Sequence, residues 1–486
     1  MTIGPIDLAI LIAYLLGTVA FGIWIGRGQR SARDYLLGGR DLPWWALLIS
    51  IVATETSTAT FLSVPGIAFG GFPGTTGDFR FLQLPMGYLV GRTIAAFTLL
   101  PLYFRGELFT AYDVLRKRSG PAVRTLASAL FLITRTLADG LRLYLAAIVL
   151  ALMLGWSMPL CVLTAGAATL VYTFFGGIRA VVWTDVIQFA VYMAGAAIAL
   201  WLLLDALPGG LTGMLEQANA SDRLRVFDFG FDLSSPYTFW AGLIGGAVLS
   251  IGSHGVDQLI VQRYLSARNL GDAQRALLWS GPIVALQFAF FLLVGLALSY
   301  FYAAHPPEQA FEKSDQVFAD YVVRYLPTGL VGIVLGAVFA AAMSTLSSSL
   351  SASSSALVND FLLPATGRQP NDPFAFRAAR WATVLFALLQ IGVGISGLGG
   401  GPVVNNVLAI ASITTGVILG LFLLALPERP DPRASLVGLV CGLVSVACVV
   451  FLLPALDIAL AWPWRGVVTG GVTFVAGALA RSLSRT

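Results

Sequence analysis

Ile49-Ser-Ile-Val-Ala-Thr-Glu-Thr-Ser-Thr-Ala-Thr-Phe61, with Pro65 and Gly66 just beyond, lies inside an apolar stretch running from about residue 43 to 71. A hydrocarbon core of about 30 Å takes roughly 20 apolar residues of helix, so this stretch is long enough to span. Near its middle stand an acid, Glu55, and five hydroxyl residues, Thr54, Thr56, Ser57, Thr58 and Thr60. Polar groups at that depth raise the free energy unless they find partners. In a kinked but continuous helix the hydroxyls could return their hydrogen bonds to the helix's own carbonyls, which leaves Glu55 unexplained. A helix interrupted here, its oxygens turned toward a bound solute or ion, accounts for the acid and the hydroxyls together. The stretch therefore predicts a discontinuous, ligand-binding membrane helix.

The rest of the chain agrees with a membrane setting. Of 486 residues, 57% are hydrophobic and only 11% charged, and mean hydropathy is +0.83. Soluble domains carry about 25% charged residues, and so few charges cannot coat a water-soluble globule of this size. The formal charge of +4 forms no basic arm or patch for nucleic acid. Cys161, Cys441 and Cys448 sit in apolar runs without ligand spacing and read as packing residues, not as a disulfide framework. His254 and His305 lie on different segments, so no metal or acid–base constellation of a membrane enzyme is evident.

Extended along the chain, the same length criterion finds about thirteen spans, near 3–26, 43–71, 79–104, 122–154, 157–176, 180–205, 237–263, 274–303, 327–362, 375–397, 402–426, 433–453 and 461–481. The first lacks a basic leader and a cleavage site, and Arg27, Arg30 and Arg33 follow it, so it reads as a retained helix. Its Gly22-Ile-Trp-Ile-Gly26 spacing suits close approach by a neighbouring helix. With the N-terminus outside and the C-terminus cytoplasmic, the predicted inner segments hold Arg27 to Arg40, Arg105 to Arg124, Arg179, Arg263 to Arg275, Arg368 to Arg380, Arg429 and Arg433, and Arg481 and Arg485. The outer segments hold chiefly Arg223, Arg225, Lys313, Arg324 and Arg465. One miscounted helix would invert every later loop and destroy this segregation. The longest gap, about thirty residues from 206, reads as an outside loop.

Other spans also carry polar residues. The ninth reads Ala340-Ala-Ala-Met-Ser-Thr-Leu-Ser-Ser-Ser-Leu-Ser-Ala-Ser-Ser-Ser-Ala-Leu-Val-Asn-Asp360, with Ala341, Ser344, Thr345 and Ser348 on one helical stripe. Such a stripe suits close helix packing, and its oxygens equally suit a hard cation. Asp185 stands in the sixth span, and Arg135, Asp139 and Arg142 stand in the fourth, where one arginine would be left without an acid at helical spacing. His254 precedes Gly255 and Asp257 in the seventh, as a hydrogen-bonded packing residue or a ligand.

At these residues the sequence resembles the sodium:solute symporter family, which includes sodium-glucose, sialic acid, proline and monocarboxylate/vitamin transporters. Four motifs carry the likeness in order: Ala53 to Phe61, Gly176-Gly-Ile-Arg-Ala-Val-Val-Trp-Thr-Asp185-Val-Ile-Gln188, Asp257-Gln-Leu-Ile-Val-Gln-Arg263, and Ser344 to Asp360. The resemblance implies an all-α polytopic membrane protein with a LeuT-type core of two inverted five-helix repeats. Residues 1–42 would form an extra first helix and cytoplasmic loop, 43–205 the first repeat, 206–236 an outside loop, 237–426 the second repeat, and 427–486 two peripheral helices. The second and seventh spans would be the broken pair. The setting it implies is the bacterial inner membrane, with lipid and a small polar solute as partners and no obligate protein partner.

The resemblance also implies a shared sodium site. Ala53, Thr56 and Ala341 would offer backbone carbonyls, and Ser344 and Thr345 hydroxyls; many relatives have serine at the last position. A second sodium would fall on Asp185, Ser347 and Ser348. In sialic acid transporters an arginine grips the substrate carboxylate beside hydroxyls and a glutamine, which match Arg135, Ser57, Thr60 and Gln83 here. Sugar transporters place aromatics where this chain has Ser253 and His254. Glu55 stands at a place acidic in proline permeases, where it could pair with Arg135, face an amine or accept hydroxyls. The function implied is sodium-driven uptake of a small carboxylate-bearing solute, an organic or sugar acid or an amino acid. A proton-coupled or sugar-specific carrier using Glu55 is the alternative. A transporter-like sensor is a further one, although the chain stops at Thr486, soon after its last span.

Overall fold

The computed structural model describes residues 4–72, 75–106, 108–307, 310–396, 403–427 and 431–483, without the side chains of 59, 149, 152, 153, 403–409 and 411–413. Among the described residues there is no strand, only an isolated bridge between Leu42 and Ala267. The main helices are α1 (Pro5–Ile25), α2 (Trp44–Glu55), α3 (Thr58–Phe69), α4 (Gln83–Thr98), α5 (Pro121–Leu154), α6 (Met158–Ala206), α7 (Ala241–Gly255), α8 (Gln258–Leu265) and α9 (Leu270–Ala304). They continue with α10 (Leu330–Leu357), α11 (Pro373–Ser396), α12 (Val403–Ala425), α13 (Pro432–Ala447) and α14 (Trp462–Leu483). Among the described residues seven helices are long and apolar enough to cross a membrane, or nine if the bent pairs α2/α3 and α7/α8 each count as one span.

Those pairs bend by 59° and 52°. At the first, Thr56 (ψ 88°) and Ser57 (ψ 173°) leave the helical region. Ser57 N–H donates to Glu55 O at 3.1 Å instead of continuing the ladder to Ala53, so the break frees carbonyls of the preceding turn. At the second, Asp257 turns extended and caps α8, accepting from Leu259 N–H at 2.9 Å. Both breaks fall in the motifs Ala53 to Phe61 and Asp257 to Arg263.

Two expectations change in detail. The stretches 157–176 and 180–205 form one helical element, α6, whose break is a single residue, Gly177, at φ 53° and ψ −160°. Such a conformation suits glycine alone, which is what the Gly176-Gly177 pair supplies. The loop after 206 holds a helix of its own, Gly210–Ala220.

Burial sorts the helices into a centre and a rim. In the apolar window of Leu330–Thr366, which includes α10, 83% of residues are buried inside the protein, against 17% for α1 and 28% for each of the two C-terminal elements. The α10 serines from Ser344 to Ser355 are all buried, so every face of this helix meets protein. Small side chains make that approach possible where lipid supplies no hydrophobic drive. The spacing read in α1 acts similarly: a Cβ at Gly22 would lie 2.7 Å from Tyr172 Cβ, so only hydrogen fits there.

Candidate functional site

The breaks of α2/α3 and α7/α8 face one cavity of about 160 Å³. From the first come Thr54, Glu55, Ser57, Thr60 and Ser63, and from the second Ser250, Ser253, His254 and Asp257. α5 adds Arg135 and Arg142, while Tyr88 and Phe288 supply apolar wall. Of the substrate residues expected from the sequence, Glu55, Ser57, Thr60, Arg135 and His254 thus line one space. Gln83 does not. Its amide donates to the carbonyls of Arg80 (3.1 Å) and Tyr237 (3.0 Å) and accepts from Asp228 N–H (2.9 Å), so it clamps the segment around Asp228 and Tyr237 to the start of α4.

The charges around the cavity are paired. Glu55 meets Arg92 of α4 at 2.5 Å and lies 3.5 Å from His254 Nε2, so its ion-pair partner is Arg92 and not Arg135. Arg92, which is 1% exposed, also donates to Ser280 at 2.5 Å. Arg135 pairs with Asp257 and lies 3.7 Å from Asp139, which meets Arg142 at 2.5 Å. No arginine of α5 is therefore left over, because Asp257 arrives from another helix. Three arginines balance three carboxylates, as burial of charge requires. The importance of Arg92 was missed, although an arginine inside a predicted span is a functional candidate on cost alone.

A second polar centre lies deeper, between α2, α6, α8 and α10. Asp185 Oδ1 accepts from Ser344 at 2.6 Å, and Oδ2 accepts from Ser50 at 2.5 Å and from Arg263 at 3.0 Å. Arg263 also donates to Ser348, and to Thr54 at 2.5 Å. It is fully buried, so it does not count among the water-facing loop charges with which it was grouped: the guanidinium is the internal counter-ion of Asp185. Thr54 and Ser348 share a further hydrogen bond of 3.0 Å. Ser347 and Ser348 each donate back to Ser344 O, at 3.1 and 2.7 Å.

Beside this centre, Thr345 Oγ1 donates to Thr54 O at 3.1 Å and lies 3.5 Å from Ala341 O, joining α10 directly to the interrupted end of α2. Ala53 is buried in the same turn. Thr56 spends its hydroxyl on Gln287 Oε1 (2.7 Å), which leaves its backbone carbonyl as the oxygen to offer. Thr345 and Thr54 thus bring oxygens from two distant stretches of chain together, and hydroxyl and carbonyl oxygens suit a hard cation, while the Ser344 hydroxyl is spent on Asp185.

The family model for sodium:solute symporters matches residues 35–442. The chain belongs to the sodium:solute symporter family. Its relatives include the sodium/sialic acid symporter NanT of Aliivibrio fischeri, 27% identical over 91% of this chain and 87% of that protein. The human sodium/iodide cotransporter is 29% identical over 91% of this chain and 69% of its own length. A solved Na+-coupled sialic acid symporter, in a substrate-bound outward-open state, shares the fold with a TM-score of 0.88 at 24% identity, over 99% of this chain and 98% of that one. A nucleobase-cation-symport-1 transporter aligns at 0.57 and 14% identity over 94% and 95% of the two chains. This symporter is accordingly a membrane transporter and not an enzyme, and sodium is the ion of its family.

Proposed function

We propose that the protein couples inward sodium movement to uptake of a small carboxylate-bearing polar solute by alternating access. The observation that carries the reading is the contact of Thr345 with Thr54 O at the α2 break, beside a cavity lined by Ser57, Thr60 and Arg135. The two bent pairs facing that cavity support a LeuT-type core of inverted repeats. Thirteen spans, an outer N-terminus and a cytoplasmic C-terminus in a bacterial inner membrane belong to the same proposal. Sodium held between α2 and α10 would brace the break from which Ser57 and Thr60 project, so ion and solute binding reinforce each other. A charge crossing 100 mV yields about 2.3 kcal/mol. A tenfold sodium gradient adds about 1.4 kcal/mol. One ion can thus sustain accumulation of roughly a few hundred-fold for a zwitterionic solute, whereas a monoanion carried with one ion moves no net charge and accumulates about tenfold. Reconstituted in proteoliposomes at fixed pH, uptake should saturate with sodium and fall to background in choline or potassium. Full uptake without sodium, varying instead with pH, would transfer the coupling role to protons and Glu55. Thermal stabilisation across acids, amino acids and sugars, with and without sodium, identifies the solute.

Recognition would run through Arg135. Its guanidinium already holds Asp257, so an arriving carboxylate takes over a bond that the protein makes with itself. Asp257→Asn keeps an acceptor for the α8 cap but removes the rival charge. Apparent affinity for carboxylate solutes should then rise about tenfold, on the scale of a charge-assisted hydrogen bond. A binding titration showing unchanged affinity would separate Arg135 from the solute.

A further inference from the structure

Along α8 the lining of the transport cavity includes Leu259 and Ile260 but not Gln258, which is fully buried and turned elsewhere. Gln258 Oε1 accepts from Ala111 N–H at 2.7 Å, so α8 holds the short segment 108–112 between α4 and α5. That segment is not helical, yet Leu108, Thr110, Ala111 and Tyr112 are all buried. Among the described residues its backbone–backbone hydrogen bonds run only to the helix that follows, Asp113–Ser119. Side chains fasten it to everything else. Asp360, just beyond α10, accepts from Thr110 Oγ1 at 2.9 Å and from Ser128 of α5 at 2.8 Å. Arg40 donates to Leu108 O at 2.8 Å, and Ser355 lies 3.4 Å from Phe109 O. Each such bond is worth about 1 kcal/mol net, so the segment can come away without unfolding a helix.

We propose that segment 108–112 is the inner gate of the transport path, and that Gln258 is the positioning residue through which solute at Arg135 releases it. The proposal rests on the sidedness and on the role of Arg135 put forward above. Arg135 holds Asp257, and Gln258 is the next residue, so neither can move far without the other. The same arginine lies 5.8 Å from the ring centre of Phe131, against which Tyr112 packs at 5.8 Å between ring centres. When a carboxylate takes Arg135 from Asp257, the start of α8 loses its anchor. Gln258 shifts with it and gives up Ala111 N–H, leaving Thr110 and Asp360 as the weaker remainder of the latch. A latch held by the neighbour of the residue that solute displaces opens when the site is filled.

The test places one reporter, Ile260→Cys, in the cavity lining of the full protein, with Cys161, Cys441 and Cys448 replaced by serine. A membrane-impermeant maleimide is applied to inside-out and to right-side-out vesicles, in sodium medium without solute. In Gln258→Met and in Thr110→Val, labelling from the inner face should be about fivefold faster than in the parent, the scale of one lost hydrogen bond. Asp257→Asn imitates displacement by solute and should do the same. Labelling from the outer face should slow at the same time, whereas a generally loosened protein would label faster from both. Parent-like rates in both Gln258→Met and Thr110→Val, or faster labelling from both faces, would overturn the gate. A parent-like rate in Asp257→Asn, with the other two raised, would overturn its link to Arg135. The readout needs neither a solute nor a sodium gradient, so its failure is distinct from failure of sodium-driven uptake.

Discussion

Arg263→Gln is expected to destabilise the protein by about 3–5 kcal/mol, the usual result of removing one partner from a buried ion pair. The loss follows from what remains. Asp185, itself fully buried, would keep only the hydroxyls of Ser50, Thr54 and Ser344 around its charge. Adding Asp185→Asn should recover most of the loss, because the orphaned charge disappears with its partner. The two variants and their combination form a cycle readable by thermal unfolding in detergent. Near-additive losses would show that Arg263 does not serve Asp185. The same series bears on a second sodium ion at Asp185, Ser347 and Ser348. With Arg263 in place, such an ion would have to displace the guanidinium from Oδ2. In Arg263→Gln the carboxylate is open to sodium, so sodium should raise the midpoint of this variant more than that of the wild type.

Thr345→Ala is expected to raise the sodium concentration for half-maximal uptake by about 10- to 100-fold, the range for disturbing a metal site's supporting contacts. The substitution removes both an oxygen and the contact from α10 to Thr54 O. Thr345→Ser keeps the oxygen and should stay within about threefold of the wild type, since a methyl group in an apolar setting is a small change beside a lost ligand. Sodium-dependent uptake in proteoliposomes reads both variants. Equal sodium dependence in alanine, serine and wild type would remove Thr345 from the ion path.

How far the sequence reached differs residue by residue. The α2 break was legible because Glu55 and five hydroxyl residues cannot sit idle in an apolar helix, whatever surrounds them. The Ser-rich run of α10 was legible as a close-packed or cation-facing helix, and its complete burial fits both. For Gln83, likeness to relatives transfers a residue type, not what its amide meets, which here is Tyr237 O and Asp228 N–H. Arg263 misled because counting charges by side assumes that an arginine near a helix end reaches water, and this one turns inward.

Hydropathy, helix length and the cost of burying a polar atom are properties of a short stretch of chain. The sequence by itself therefore determined that the protein lives in a membrane, that it is helical, and that the span from 43 to 71 is interrupted; the break of the seventh span came from the family resemblance, and the structure puts the two breaks at Thr56–Ser57 and Asp257. Which charge meets which is a different matter. Glu55 with Arg92, Asp185 with Arg263, and Arg135 with Asp257 join residues 37, 78 and 122 positions apart. Coulomb attraction falls with distance, and hydrogen bonds vanish beyond a few ångströms. Only the packing of the helices, which brings chosen atoms within that reach, could decide these partners.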